Sequence, residues 1–262
     1  MQSIILTIFN KQNILKMILE SLIQHTSKTV DEYIFVLDGC TDNSESILND
    51  FLVKTPGINY KIIKTNDVFE LRANNAGLKA CKNEYAIIVQ DDMCIKESNW
   101  NDRLMMPIKT FDDIWAVTAR AAVSLDVNDR WYNIKEGPVG HNFNTNSNYP
   151  RNVVHVGQIV NRGPLLLKMS VMKSINYFDE SLPGCIGCDD ADACLKVYER
   201  FKLRCCSYWI SYYSPLEWGA TRSGPNVSYV TNEETKNRRE VIARYRTLLT
   251  SWDKDETRYL SQ

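Results

Sequence analysis

The sequence predicts a doubly wound, mostly parallel α/β sheet flanked by helices, with a C-terminal helix, on three observations. Short apolar runs alternate with stretches of helical spacing through the first ninety or so residues. The run Tyr85-Ala86-Ile87-Ile88-Val89 is apolar throughout, as a strand covered on both faces must be, and it emerges on the polar triplet Gln90-Asp91-Asp92. A chain of 262 residues with 44% hydrophobic content is long enough to bury one large core, with or without an appendage.

Residues 3–9 are β-branched and apolar up to Asn10, which makes a first strand lying mid-sheet. Residues 12–24 carry Ile14, Leu15, Ile18, Leu22 and Ile23 at helical spacing, a helix returning across the sheet. Residues 33–37 are a second buried strand, followed by a polar turn from Asp38 to Ser44. Thr41 or Asp42 caps the next helix, whose buried face is Ile47, Leu48, Phe51 and Leu52, and Asp38 is left free to project from the strand end. Residues 60–63 give a third strand, 71–80 a helix and 85–89 the fourth strand. Right-handed crossovers through this alternation place Asp38 and the pair Asp91/Asp92 on one edge, where open α/β sheets bind ligands.

Trp100, Leu104 and Ile108 mark a further helix, and residues 115–119 a strand. From about 124 to 152 the pattern breaks. Residues 141–150 are rich in turn formers and read as a surface loop, either a solvated insertion or a lid over substrate. Order returns with strands over 153–160 and 163–168 and a short helix over 169–175. A longer helix then runs through Leu195, Val197, Tyr198 and Phe201, with Asp189, Asp190 and Asp192 at its start. Acids in a first turn are favoured by the helix dipole, so part of this cluster can be structural. Residues 232–252 place Val241, Ile242, Tyr245, Leu248, Leu249 and Trp252 at helical spacing among Lys236, Arg238, Arg239, Arg244 and Arg246. This is an amphipathic helix, either packed on the domain or lying on a membrane surface.

A formal net charge of -1 offers no general attraction to nucleic acid. The opening Ile4-Ile5-Leu6 run is too short for a secretory signal or a membrane span, so a soluble, cytoplasmic chain is expected. Eight cysteines scattered through a long chain suit reduced thiols. Cys185 and Cys188, with Cys194, Cys205 and Cys206 beyond, lack the second C-x-x-C pair or the His that zinc spacing requires.

Six motifs, in order, carry a family resemblance: Val36-Leu37-Asp38-Gly39, Asn74-Asn75-Ala76-Gly77-Leu78, Ile88-Val89-Gln90-Asp91-Asp92, Gly163-Pro164-Leu165, Phe178-Asp179-Glu180 and Asp189-Asp190-Ala191-Asp192. Together with the N-terminal strand they resemble the family 2 glycosyltransferases of the GT-A fold, over roughly residues 3–210. The chain departs from the pattern in two places. Gln90 stands where the usual D-x-D motif has its first acid, and no His occurs between Tyr213 and Ser223, where many relatives carry a metal or phosphate ligand.

The resemblance implies a GT-A domain over residues 1–230, with a nucleotide-binding half of about 1–119 and an acceptor-side half of about 120–230, followed over 231–262 by the C-terminal amphipathic helix and a tail. It implies a transferase moving a sugar from a nucleotide-sugar donor to a glycan, lipid-linked or protein acceptor, with inversion, assisted by Mn²⁺ or Mg²⁺. Asp92, matching the last acid of the motif, is the metal ligand; Asp91 shares the metal or binds a ribose or sugar hydroxyl. Asp38 matches the acid that contacts the base, with Thr7 and Arg72 also on the nucleotide. A carboxylate there accepts a hydrogen bond from the ring N–H of uracil, thymine or guanine, so UDP, dTDP or GDP donors fit better than CMP donors. Asp190 matches the catalytic base, its proton affinity raised by its acidic neighbours, with Asp189 as the alternative. Asp192, Arg162 and Arg222 are acceptor or phosphate contacts. Two other classes stay open: a non-catalytic nucleotide-sugar-binding or scaffold protein of the same fold, and a nucleotidyltransferase, which the lack of an early Gly-rich loop with a following Lys disfavours.

Overall fold

The computed structural model describes residues 1–120, 122–133, 150–213 and 227–260. In chain order the elements are β1 (Gln2–Ile8), α1 (Leu15–His25), β2 (Val30–Asp38), α2 (Ser44–Lys54), β3 (Tyr60–Thr65), α3 (Phe69–Ala80), β4 (Tyr85–Gln90), β5 (Cys94–Ile95), α4 (Trp100–Leu104), α5 (Met106–Thr110) and β6 (Ile114–Thr118). There follow β7 (Ala122–Leu125), β8 (Trp131–Asn133), β9 (Val153–Gly157), β10 (Ile159–Val160), β11 (Leu165–Lys168), α6 (Met169–Ser174), α7 (Asp189–Phe201), β12 (Arg204–Tyr208), β13 (Tyr212–Tyr213), α8 (Val227–Arg244), α9 (Arg246–Thr250) and β14 (Glu256–Tyr259).

A nine-stranded sheet in the order β14-β9-β12-β6-β11-β4-β1-β2-β3 carries the molecule. Its pairings are parallel from β4 through β1 and β2 to β3, as the β-α alternation requires. β11 enters antiparallel between β4 and β6, and β9 lies antiparallel between β12 and β14. Alternate residues of each central strand face opposite sides. Ile5, Ile34, Val36 and Ile88 join a core beneath α3, α6, α7 and α8, whereas Ile4, Leu6, Phe35, Ile87 and Val89 join one beneath α1, α2, α4 and α5. β1 starts at the second residue and still lies mid-sheet, because its seven residues are almost entirely buried.

The register sets the site. Thr7 of β1 lies between Val36 of β2 and Gln90 of β4, and Ile8 lies opposite Leu37, so the three strands end flush and Asp38, Asp91 and Asp92 leave from one edge.

The structure corrects several expectations. The segment from 124 to 152 is not irregular throughout, since β7 and β8 pair antiparallel within it. The single strand expected over 153–160 is two, β9 in the main sheet and β10 in a small sheet with β7, broken at Gln158. Gln158 is buried there and its side-chain oxygen accepts a hydrogen bond from the Leu125 N–H (2.6 Å). The helix expected over 232–252 is two, broken at Tyr245, and beyond it β14 adds an edge strand to the sheet. The apolar residues Val241, Ile242, Tyr245 and Leu249 are buried in the core. The loop expected over 141–150 falls, all but Pro150, outside the described residues. All eight cysteines are free thiols. Among the described residues no helix is long and apolar enough to cross a membrane.

α3 lies hard against the sheet at Gly77, where an added Cβ would stand 2.5 Å from Ile5 Cγ2 and 3.3 Å from Val36 Cγ2. Both neighbours are β-branched and completely buried in central strands, so neither side chain can swing away. Gly77→Ala is therefore expected to lose about 1–3 kcal/mol in urea denaturation through overpacking, against the ~1 kcal/mol that Ala ordinarily gains over Gly in a helix. Unchanged or increased stability would show that α3 sits further from β1.

Candidate active site

The edge where β1, β2 and β4 end carries Asp38, Asp91 and Asp92, and a chain of side-chain contacts joins it to Glu70 and Asp189. At the end of β4, Asp91 accepts a hydrogen bond from the Phe9 N–H (2.8 Å), and the buried Lys11 ammonium lies 3.6 Å from its other oxygen. Asp91 thus fastens the end of β1 to the end of β4. Burial pushes its carboxyl up to about 7, against the pull of Lys11 and the Phe9 N–H. Asp92 next to it makes no hydrogen bond or ion pair to another described side chain. Its carboxyl is also raised by burial, with Lys11 and Arg120 opposing.

Gln90, the departure from D-x-D, is bonded on both sides. Its amide N–H donates to Glu70 Oε1 (3.1 Å), and its carbonyl oxygen accepts from Arg120 Nη1 (3.1 Å). Glu70, in the first turn of α3, also meets Arg162 Nε (3.2 Å). Arg162, 5% exposed, uses Nη1 to bind Asp189, which is fully buried at the start of α7. A continuous chain therefore runs Arg120–Gln90–Glu70–Arg162–Asp189, joining the end of β4 to the start of α7. The charges of Asp189 and Glu70 hold Arg162 protonated despite its burial. Burial pushes Asp189 up to about 6, with Arg162 pulling the other way.

Asp190 is half-buried, and its Oδ1 accepts a hydrogen bond from the Ala191 N–H (2.8 Å). Asp192 is turned elsewhere: fully buried, it meets Lys196 (3.0 Å), Arg244 (3.1 Å) and Tyr245 Oη (3.2 Å).

At the end of β2, Asp38 is buried rather than free. Its Oδ1 accepts from Thr65 Oγ1 (2.7 Å) and from the Val68 N–H (2.8 Å), which ties the strand end to the loop entering α3. Neither Thr41 nor Asp42 is the cap of α2: Asn43 stands there without a side-chain capping bond, and Asp42, one residue earlier, accepts from the N–H of the first helical residue, Ser44 (2.9 Å). Thr7 donates to Asn74 Oδ1 (2.8 Å), whose amide nitrogen is buried without a partner. Arg72 is exposed on α3, with Nη2 3.4 Å from the Glu180 carbonyl. Arg222 lies outside the described residues.

The site thus brings together Asp38, Thr7, Asp91, Asp92, Asp189, Asp190 and Arg162. Sequence reasoning missed Lys11, Glu70 and Arg120. Glu70 reads from sequence as a dipole-favoured acid of a first turn, and only the approach of Gln90 and Arg162 makes it a junction.

Among the described residues no group of three or more His, Cys, Asp or Glu side chains is gathered closely enough to hold an ion unaided. A hard divalent cation needs less when a diphosphate and water complete its shell. Asp92, raised by burial and without a side-chain partner among the described residues, with Asp91 beside it, suits that arrangement.

A model of the family described as Glycosyl transferase family 2 matches residues 3–162, more than half of the chain. No curated protein matches it significantly. Among solved structures, GalNAc-T7 with UDP, GalNAc and Mn²⁺ is similar at a TM-score of 0.71 and 13% identity, over 95% of this chain and 49% of that one. TarS of S. aureus with UDP-GlcNAc is similar at 0.58 and 18%, over 87% and 60%. The mannosyltransferase PcManGT from Pyrobaculum calidifontis with GDP-Man and Mn²⁺ is similar at 0.56 and 13%, over 96% and 76%. The shared feature at these identities is the fold, the mostly parallel sheet of GT-A glycosyltransferases. The chain spans about half the length of the GalNAc-T7 chain and 60% of the TarS chain.

Arg162→Met would leave Asp189 buried without a counter-charge, a loss of about 3–5 kcal/mol expected at pH 8 in urea denaturation. The deficit should shrink at pH 5. Without Arg162 the folded-state pKa of Asp189 rises further above its unfolded value, so the folded variant binds the extra proton and its stability falls as pH rises. A deficit independent of pH would mean that Arg162 does not neutralise Asp189.

Proposed function

The chain belongs to glycosyl transferase family 2, and on that premise we propose that it transfers a sugar from a nucleotide-sugar donor to a hydroxyl of a glycan, glycolipid or protein, with inversion. The observation that carries this reading is the pair Asp92 and Asp190, which adjoin the two elements joined by one polar chain and have no side-chain partner among the described residues. Residues 1–119 form the donor half and 120–230 the acceptor half. A UDP-sugar is the favoured donor. The solved neighbours include complexes with UDP, UDP-GlcNAc and GDP-Man, and a carboxylate at Asp38 suits the ring N–H of uracil or guanine.

In this reading the loop tied by Asp38 receives the base, beside Thr7 and the orphaned Asn74 amide. Asp92, with Asp91 beside it, would hold Mn²⁺ or Mg²⁺. When bound, the ion supplies charge neutralisation for the leaving diphosphate. Lys11 and Arg120 add positive charge on the same edge, as their effect on Asp92 indicates. Asp190 takes the proton of the acceptor hydroxyl as its oxygen bonds to the anomeric carbon. The bond from that carbon to the phosphate oxygen breaks, and the electron pair leaves with the diphosphate. Arg162 and Asp189 fix the first turn of α7 from which Asp190 projects. If the acceptor is lipid-linked, contact with a membrane surface falls to exposed basic residues of α8 such as Lys236 and Arg239, because the apolar face of that helix is buried.

The roles separate by mutation. Asp190→Asn is expected to lower turnover by ~10²-fold or more, the usual worth of a general base, while leaving UDP affinity in Mn²⁺ within about threefold of wild type. Asp92→Asn should weaken that affinity about tenfold, roughly 1.4 kcal/mol by calorimetry, and EDTA should do the same to the wild type. Binding without turnover by the wild-type protein on any donor and acceptor would instead support a non-catalytic nucleotide-sugar-binding protein.

A further inference from the structure

The segment leading into the Asp189–Asp190 turn, Leu182-Pro183-Gly184-Cys185-Ile186-Gly187-Cys188, is mostly buried yet lies in no helix or strand. Its backbone N–H and C=O groups must therefore find partners elsewhere. Those of residues 184–187 find them on α8. Asn237, fully buried, accepts a hydrogen bond from the Gly184 N–H (2.6 Å) with Oδ1. Its Nδ2 faces the carbonyls of Gly184 (3.1 Å), Ile186 (3.1 Å) and Gly187 (2.8 Å). Glu233, one turn earlier, accepts from the Cys185 N–H (3.1 Å). The orientation of the Asn237 amide is unambiguous, because one N–H needs an acceptor and three carbonyls need a donor.

The fit leaves no slack. A Cβ on Gly184 would collide with the Glu233 carbonyl, and one on Gly187 with the Glu234 side chain. Gly187 and Cys188 both take positive φ (80° and 59°), a two-residue left-handed turn that aims the chain into α7. Of the carbonyls held by Asn237, that of Ile186 directly precedes this turn and that of Gly187 lies within it. Seven residues, and so about 10 Å, further along α8, Arg244 and then Tyr245 hold Asp192 in the first turn of α7. The C-terminal helix thus grips the entry to α7 on both sides of Asp190 without touching that carboxylate.

We propose that Asn237 is a positioning residue for Asp190: through the 184–188 backbone it fixes where the first turn of α7 presents its free carboxylate to the donor edge. The proposal rests on the reading of Asp190 as the base. A helix outside the residues matched by the family model thereby becomes part of what makes the site competent.

The test is Asn237→Ala in the full chain. Three readouts are needed: hydrogen exchange of the 184–188 amides by mass spectrometry, calorimetric affinity for UDP with Mn²⁺, and turnover as diphosphate released from a panel of UDP-, GDP- and dTDP-sugars. Exchange of 184–188 should rise while that of β1 and β4 stays put. The kcat should fall at least tenfold, with donor KM and UDP affinity within threefold of wild type. If the alanine variant does not fold, Glu233→Ala, which removes the acceptor for the Cys185 N–H together with a surface ion pair to Lys236, should show the same kcat-against-KM split in smaller measure. Full kcat despite raised exchange, or a parallel loss of UDP affinity and kcat, would overturn the proposal. Asp190→Asn separates the two claims. If it keeps turnover, the assignment of the base has failed; if it abolishes turnover while Asn237→Ala does not, only the positioning role has failed.

Discussion

The site depends on one buried guanidinium. Arg162 lies between Asp189 of α7 and Glu70 of α3, and neither it nor Asp189 reaches solvent to any useful extent. Charges so placed are tolerated only when paired, and removing one partner costs far more than the pair contributes. The same chain accounts for Gln90. An acid in that position would face Glu70 as a like charge, whereas the amide donates to Glu70 and accepts from Arg120. The departure from D-x-D is thus matched to the presence of Glu70 rather than a simple loss of charge.

Each of the two Asp-Asp pairs divides its labour in the same way. The first acid is committed to structure: Asp91 to the Phe9 N–H and Lys11, Asp189 to Arg162. The second is the freer one: among the described residues Asp92 has no side-chain partner and Asp190 is bonded only to the adjacent Ala191 N–H. Holding one carboxylate of a pair firmly fixes the backbone from which the other projects. This preorganises an acid for chemistry without spending its own oxygens on the fold. Asn237 extends the logic to the loop before α7, using an amide where a charge would need a counter-ion.

The sheet was legible in the sequence where burial on both faces forces continuous apolar runs, as in β1, β2 and β4. It was not legible in β12, whose Arg204-Cys205-Cys206-Ser207-Tyr208 is strand-like only once β6 and β9 lie beside it, nor in β14, a short charged edge strand. The acids of the site were visible because strand ends and helix starts can be read locally. Their commitments were not. Asp38 is tied by the end of β3, 27 residues away in sequence, and by the loop after it, and Asp192 by a helix 52 residues away. Glu70 and Asn237 look like ordinary polar helix residues until the third dimension supplies their partners.

A crystal structure with UDP and Mn²⁺, the ion located by its anomalous scattering, tests the arrangement most directly. An anomalous peak is expected against Asp92 with the diphosphate between it and the start of α7, the uracil in the loop tied by Asp38, and the Arg162 ion pairs intact. A nucleotide bound away from the ends of β1, β2 and β4, or an ion held by Asp189 with Arg162 displaced, would contradict this arrangement.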